Sequence, residues 1–91
     1  MGLDHPIWSV NERLIVASTI AILGGTGPEG KGLALRLAMS GEAPVIGSRD
    51  AARGATAAEE LAQTVHGVVI NGSDNAGAVA AADVVFLAFP Y

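Results

Sequence analysis

The sequence contains no cysteine and only two histidines, which removes most chemistries that depend on sulfur or on a bound metal. Without cysteine the chain can form neither a disulfide framework nor a thiolate metal site, and it has no cysteine nucleophile. His5 and His66 are isolated and far apart in the sequence. We therefore expect two ordinary surface or loop histidines and no metal centre.

Basic residues and long apolar runs are also scarce. Five Lys and Arg stand against nine Asp and Glu, and the net charge is −4 over 91 residues. This balance argues against a nucleic-acid partner, because phosphate backbones are bound by clustered cations. The N-terminal segment MGLDHPIWSV lacks the pattern of a signal peptide. No apolar run approaches the ~18 residues of a membrane span, so we expect a cytoplasmic protein without a membrane partner.

Short apolar segments alternate with helical patterns from residue 19 onwards. Strands are predicted at residues 19–23, 44–47, 67–71 and 83–89, and helices at 29–40, 51–65 and about 75–82. Asp50 is expected to cap the second helix, and Ser73 or Asp74 the third. With right-handed crossovers, this alternation predicts an α/β fold of the Rossmann type. Its doubly wound parallel sheet has the order 3-2-1-4, and residues 1–18 form an N-terminal extension.

The second helix carries a row of small residues at helical spacing, which predicts the side that faces the sheet. This row consists of Ala51, Ala55, Ala58, Ala62 and Val65. Arg53 is expected on the opposite, solvent-facing side.

The segment GTGPEG matches the G-x-G-x-x-G pattern between a predicted strand and a predicted helix. In such a loop Gly25 permits the tight turn, Gly27 lets the backbone approach a pyrophosphate, and Gly30 allows close helix packing. Pro28 falls at the first helical position, where its missing donor costs least. The loop therefore predicts a dinucleotide site, although a glycine-rich turn without a ligand is the alternative.

The end of the second strand indicates which dinucleotide is bound. Here the sequence reads GSRD, so that Ser48, Arg49 and, one helical turn later, Arg53 can bind a 2′-phosphate. Two charge-assisted hydrogen bonds of about 1.5–3 kcal/mol each would favour NADP over NAD by about two orders of magnitude. Asp50 is the counter-evidence, since an acid near this position binds the ribose hydroxyls of NAD. Its role as a helix cap explains it equally well, so we predict NADP as the cofactor.

The chain resembles the N-terminal domain of the NADPH:coenzyme F-420 oxidoreductases. The resemblance covers residues 20–91 and is carried by ILGGTGPEGKGLALRLAMSG, by VIGSRD with Arg53, and by INGSDNAGAVAAADVVFLAFPY. It implies hydride transfer between NADP and the deazaflavin coenzyme F-420. It also implies a cofactor site formed by Gly25, Thr26, Gly27, Pro28, Glu29, Gly30, Ser48, Arg49, Arg53, Ala88, Phe89 and Pro90.

The resemblance also sets limits on what this chain is expected to do. In that family the sheet continues past the fourth strand, and the later part forms the deazaflavin pocket. We therefore expect residues 19–91 to be an incomplete NADP-binding domain with no catalytic acid or base, because hydride transfer depends on positioning. Two alternatives stay open: an NADP-binding module without catalysis, and an atypical short-chain NADP-dependent reductase. The latter would place an Asp near the end of the third strand.

The fourth predicted strand, DVVFLAF, is apolar on both faces and has no charge or proline that would protect an edge. In the order 3-2-1-4, a chain that ends at Tyr91 leaves this strand at the edge of the sheet. Long apolar edges invite pairing with another chain. We therefore expect self-association through this strand.

Overall fold

The computed structural model describes residues 18–88 of the chain. The predictions made for residues 1–17 and for Phe89, Pro90 and Tyr91 lie outside these described residues. Within them, strands and helices alternate in the order β1 (Thr19–Leu23), α1 (Pro28–Met39), β2 (Ala43–Ser48), α2 (Ala51–Ala62), β3 (Asn71–Asp74), α3 (Asn75–Ala81) and β4 (Val84–Leu87).

The four strands form one parallel sheet in the order β3-β2-β1-β4, which confirms the predicted fold and strand order. Ile22 of β1 lies opposite Ile46 of β2, and both side chains are fully buried. On that face the core continues into Ala34 of α1 and Ala58 of α2. The other face packs Ala21 and Val45 against Ala78 of α3. Helices thus cover both faces, as a doubly wound sheet requires.

Helix α1 begins and ends as its sequence predicts. Pro28 is its first residue, where a proline lacks only a donor that the helix would leave unpaired. After the helix, Gly41 adopts a φ of +92°, and its N–H donates to the carbonyl oxygen of Ala38 over 3.1 Å. The N–H of Glu42 donates to Leu37 over 2.9 Å, which completes a Schellman motif and ends the helix.

The predicted position of the third strand is wrong. The apolar segment GVVIN at residues 67–71 was expected to pair, whereas β3 is Asn71–Asp74, which begins where that segment ends. Ile70 is buried in the core and Val69 is 68% exposed, so this segment leads into the sheet without a strand partner. The pairing moves to NGSD because Gly72 lies against the backbone of Gly54 in α2, and a side chain at either position would prevent that approach.

The predicted inward row of α2 is wrong in part, for the same reason. The buried residues of α2 are Gly54, Ala57 and Ala58, and the partly buried Ala62 also packs against the core, so Ala58 and Ala62 belong to both the predicted and the observed row. Ala51 and Ala55 are exposed. The helix turns Gly54 toward β3, since backbone contact with Gly72 and Ser73 is possible only at a glycine. Arg53 is exposed, as predicted.

Strand β4 is shorter than predicted and lies at one edge of the sheet. Among the described residues it pairs with β1 alone, with Val85 opposite Ala21. Its side chains are apolar and yet 43–68% exposed. An apolar strand in this position is open to a further partner.

Candidate functional site

The loop after β1 is held against the end of β2 by two hydrogen bonds. The N–H groups of Gly24 and Gly25 both donate to the carbonyl oxygen of Gly47, over 3.1 and 3.2 Å. Gly24 has a φ of +72°, so the turn out of the strand depends on Gly24, whereas the sequence pattern assigned it to Gly25. Gly24, the residue before the motif, is therefore the position whose backbone conformation requires a glycine.

The three motif glycines serve two different purposes. A Cβ on Gly25 would lie 2.7 Å from the carbonyl oxygen of Ile22, and a Cβ on Gly30 would lie 2.5 Å from the Cα of Gly25. The lack of a side chain at these two positions allows the helix to start directly beside the loop. A Cβ on Gly27 would meet no atom within 4 Å. Gly27 therefore borders open space, where a ligand can approach the backbone.

Helix α1 starts without a side-chain cap. Gly27 is its N-cap residue, and no side chain accepts a hydrogen bond from the first turn. Uncapped N–H groups at a helix N-terminus, together with the positive end of the helix dipole, can bind an anion. Glu29 is exposed in this first turn and lines neither of the clefts described below.

The end of β2 presents one buried hydroxyl and two exposed guanidinium groups. Ser48 is the last residue of the strand and only 6% exposed, and its Oγ accepts a hydrogen bond from the N–H of Asp50 over 3.3 Å. Arg49 and Arg53 are exposed. Asp50 caps α2, because its Oδ1 accepts from the N–H of Ala52 over 2.9 Å. The expected capping role of Asp50 is thereby confirmed.

These groups converge on a cleft of about 480 Å³ at the carboxyl ends of the strands. It is lined by Gly24, Thr26, Gly27, Ser48, Arg49, Arg53 and Asn75. We call this the arginine cleft. A ligand pocket in a parallel α/β sheet is expected at this end of the sheet, and the volume lies within the usual range.

A second cleft of about 450 Å³ adjoins the first, with Thr26 and Arg53 common to both. It is lined by Thr26, Lys31, Asp50, Ala52, Arg53, Thr56, Ala57 and Glu60. The two clefts differ in charge. The arginine cleft has two cationic side chains and no acidic one, whereas the second cleft sets Lys31 and Arg53 against Asp50 and Glu60. An anion is therefore attracted most strongly to the arginine cleft.

Five of the predicted site residues line the arginine cleft, namely Thr26, Gly27, Ser48, Arg49 and Arg53. The structure places Gly25, Pro28, Glu29, Gly30 and Ala88 outside both clefts. Ala88 follows β4, and its N–H donates to the carbonyl oxygen of Leu23 over 2.9 Å. Phe89 and Pro90 lie outside the described residues.

Gly24 and Asn75 line the arginine cleft although the sequence did not predict them, and the second cleft adds five more unpredicted residues, namely Lys31, Ala52, Thr56, Ala57 and Glu60. The doublet Gly24-Gly25 was a signal for Gly24, and the position of Lys31 in the first turn of a helix after a glycine loop was a signal for Lys31. Asn75 had no sequence signal, because its place in the cleft depends on where β3 ends.

A short-chain reductase would need an Asp near the end of the third strand, and the Asp found at that place caps a helix. Asp74 ends β3, and its Oδ1 accepts from the N–H of Gly77 over 2.7 Å. Across residues 18–88 no cluster of three or more His, Asp or Glu side chains is placed to bind a metal ion. None of the helices in that range has the length and apolar character needed to cross a membrane.

Comparison with known proteins agrees with this geometry. A family model described as "NADP oxidoreductase coenzyme F420-dependent" matches residues 19–91. The F420-dependent NADP reductase of Methanothermobacter thermautotrophicus is 42% identical over 78 residues, which cover 84% of this chain and 34% of the relative. The protein of the same name from Methanothermobacter marburgensis is 45% identical over 73 residues, covering 78% of this chain and 33% of the relative.

A third relative, the F420-dependent NADP reductase of Methanocaldococcus jannaschii, is 43% identical over 76 residues, covering 79% of this chain and 34% of the relative. The chain spans about a third of the length of the curated relatives it matches. The glycine loop and the parallel sheet lie within the matched residues, and so does the arginine cleft. The chain therefore belongs to the coenzyme F420-dependent NADP oxidoreductase family.

Proposed function

We propose that this chain is the NADP-binding portion of an oxidoreductase that transfers a hydride between NADP and the deazaflavin coenzyme F420. The arginine cleft is the observation that carries the proposal. It joins a glycine loop, an uncapped helix N-terminus and two guanidinium groups in one place. NADP carries phosphates at two points, and the cleft offers a separate set of groups for each.

The pyrophosphate is bound at the glycine loop. Gly27 borders open space, and the first N–H groups of α1 have no side-chain acceptor. Thr26 lines both clefts, so its hydroxyl is available to a phosphate oxygen. These groups are neutral or carry only the helix dipole, and they therefore bind NADP and NAD equally well.

The 2′-phosphate is bound by Ser48, Arg49 and Arg53. Ser48 is fixed by burial and by its hydrogen bond with Asp50, while the two arginines are free to close on the phosphate. Because both guanidinium groups are exposed, we expect each ion pair to contribute about 1 kcal/mol, which is below the range of about 1.5–3 kcal/mol for charged hydrogen bonds shielded from water. The site then favours NADP over NAD by about ten- to a hundredfold.

The chemical step needs no acid or base from these residues. The nicotinamide of bound NADP supplies or accepts the hydride. The chain's own contribution is to hold the dinucleotide in an extended and fixed position over the carboxyl ends of β1 and β2. Ala88 follows β4 and donates its N–H to Leu23, beside the loop after β1, and the family resemblance leads us to propose that Ala88, Phe89 and Pro90 contact the nicotinamide half of the cofactor.

The function is tested by a chimera in which this chain replaces the segment that it matches in the Methanothermobacter thermautotrophicus relative. Hydride exchange between NADPH and coenzyme F420 is followed by absorbance. We expect the chimera to catalyse exchange, and the 91-residue chain alone to bind NADPH with little or no turnover. A folded chimera that binds NADPH without exchange would instead favour a binding module, and one that binds no NADPH would refute the proposal.

We also propose that the isolated chain self-associates, with β4 of one copy beside a strand of a second copy. Support comes from the apolar side chains of β4, of which Leu87 is 68% exposed. Such an edge pairs readily unless a charge blocks it. In sedimentation experiments the parent chain should dimerise, whereas Leu87→Lys should remain monomeric with an unchanged far-UV spectrum. A parent chain that stays monomeric at high concentration would refute this.

A further inference from the structure

Asn75 is the one lining residue of the arginine cleft whose side chain has a buried and unpaired polar atom. Its Oδ1 is buried and accepts no hydrogen bond, and among the described residues no other buried side-chain nitrogen or oxygen atom is left in this state. Buried acceptors are nearly always paired, so an exception calls for a physical explanation. The residue lies in the cleft together with Ser48 and Arg49.

The fold leaves space for the Asn75 side chain, but no group in the described part of the chain donates a hydrogen bond to its oxygen. A Cβ on Gly47 would lie 2.8 Å from Oδ1 of Asn75, so the carboxamide occupies the space that the glycine leaves. The cap of α3 is supplied by Asp74, whose Oδ1 accepts from Gly77 over 2.7 Å. Asn75 is thus not needed to start the helix, and its unpaired oxygen lowers the stability of the unliganded protein.

We propose that Asn75 positions the adenosine half of the dinucleotide by accepting a hydrogen bond from the ligand. This inference rests on the proposed function. An unpaired acceptor requires a donor, and ionised phosphate groups have only acceptors. The 2′-phosphate assigned to Ser48, Arg49 and Arg53 is attached to the adenosine ribose. The nearest donors on the ligand are therefore a ribose hydroxyl and the adenine amino group.

The movement needed is small. The torsion at the end of an asparagine side chain is broad, so a partial turn of the carboxamide can bring its oxygen to the cleft without burying the amide nitrogen in its place, while the backbone of α3 stays where it is. Ligand binding then pairs an acceptor that is unpaired in the free protein. Asn75 is a positioning residue in this account, because it contacts the cofactor far from the carbon that carries the hydride.

The test is calorimetric titration of the full chain with adenosine 2′,5′-bisphosphate, which contains the adenosine half alone. Asn75→Ala should weaken this ligand about three- to tenfold, as expected for one neutral hydrogen bond. The matched control is Asn71→Ala, an exposed asparagine of β3 that lines neither cleft, and it should have no effect. Urea unfolding of unliganded Asn75→Ala should show no loss of stability.

Two ligand analogues identify the donor. The 3′-deoxy analogue lacks the ribose hydroxyl, and the purine riboside analogue lacks the adenine amino group without gaining another donor. The parent chain should bind one of them three- to tenfold more weakly, whereas Asn75→Ala should bind that analogue and the unmodified ligand equally. This loss of discrimination would not follow from a merely structural role.

The outcomes separate this inference from the function on which it rests. A parent chain that binds neither NADP nor adenosine 2′,5′-bisphosphate would refute both. A parent chain that binds the bisphosphate but tolerates both analogues, or an Asn75→Ala chain that binds as the parent does, would overturn the role of Asn75 alone. It would also be overturned if Asn75→Ala bound the unmodified bisphosphate and both analogues more weakly by the same factor and had a lower free energy of unfolding.

Discussion

The N–H of Gly24 donates to the carbonyl oxygen of Gly47 over 3.1 Å, so the glycine loop and the strand that ends in Ser48 are joined directly. The N–H of Gly25 donates to the same oxygen over 3.2 Å. Because this carbonyl belongs to the residue before Ser48, the phosphate loop and the residues proposed to bind the 2′-phosphate keep a fixed separation. The cleft is therefore formed before any ligand binds, which lowers the entropic cost of binding.

Gly47 also lies close to two neighbouring side chains, and Gly47→Ala should destabilise the fold. The added Cβ would lie 2.8 Å from Oδ1 of Asn75 and 2.9 Å from Cδ2 of Leu23. Because both atoms are the ends of side chains that can move, the cost should lie at the lower end of the range of about 1–3 kcal/mol that overpacking brings, which urea unfolding would measure. The control is Gly32→Ala in α1, where a Cβ meets no atom within 4 Å. That change should stabilise the chain by about 0.5–1 kcal/mol, and a loss at Gly32 equal to that at Gly47 would contradict the account.

Gly27 and Gly30 should respond differently to the same substitution. Gly30→Ala places a Cβ 2.5 Å from the Cα of Gly25 and should lower the free energy of unfolding by about 1–3 kcal/mol. Gly27→Ala meets no protein atom, so it should cost at most about 1 kcal/mol as a weaker helix cap, and yet reduce NADP affinity more than tenfold. Unfolding and calorimetry on both variants check this. Unchanged NADP affinity in Gly27→Ala would show that the backbone there does not approach the ligand.

Asp50 provides a test of cofactor choice. Asp50→Ala removes the cap of α2 and should cost about 1 kcal/mol of stability, whereas Asp50→Asn keeps the accepting oxygen and should cost little. Asp50→Asn also removes a negative charge beside Arg49, so NADP affinity should stay equal or rise. An NAD site with Asp50 on the ribose would lose affinity for NAD in both variants, and that result would contradict NADP as the cofactor.

The sequence predicted the architecture well because two strong rules agree. Alternating strands and helices with right-handed crossovers lead to the order 3-2-1-4, and a glycine loop between strand and helix marks the ligand end of the sheet. The cap at Asp50 and the helix end at Gly41 follow from local chemistry that a sequence displays directly. Five predicted site residues accordingly meet in one cleft.

The failures concern contacts between distant glycines. The position of β3 and the buried row of α2 depend on Gly54 and Gly72, whose backbones touch across 18 residues of sequence. Apolar periodicity favours GVVIN and the alanines, and it carries no signal for two missing side chains that allow a close approach. The place of Asn75 in the cleft follows from the same shifted strand, which is why the sequence did not reveal it.

The central claim is that Arg49 and Arg53 select NADP through its 2′-phosphate. The most direct measurement is calorimetric titration of the parent chain and Arg49→Ala with NADP and with NAD. The control is Arg36→Ala, an exposed arginine in the last turn of α1 that lines neither cleft. We predict at least tenfold preference for NADP in the parent, a loss of about tenfold for NADP alone in Arg49→Ala, and no change in the control. Equal binding of NADP and NAD by the parent chain would contradict the claim.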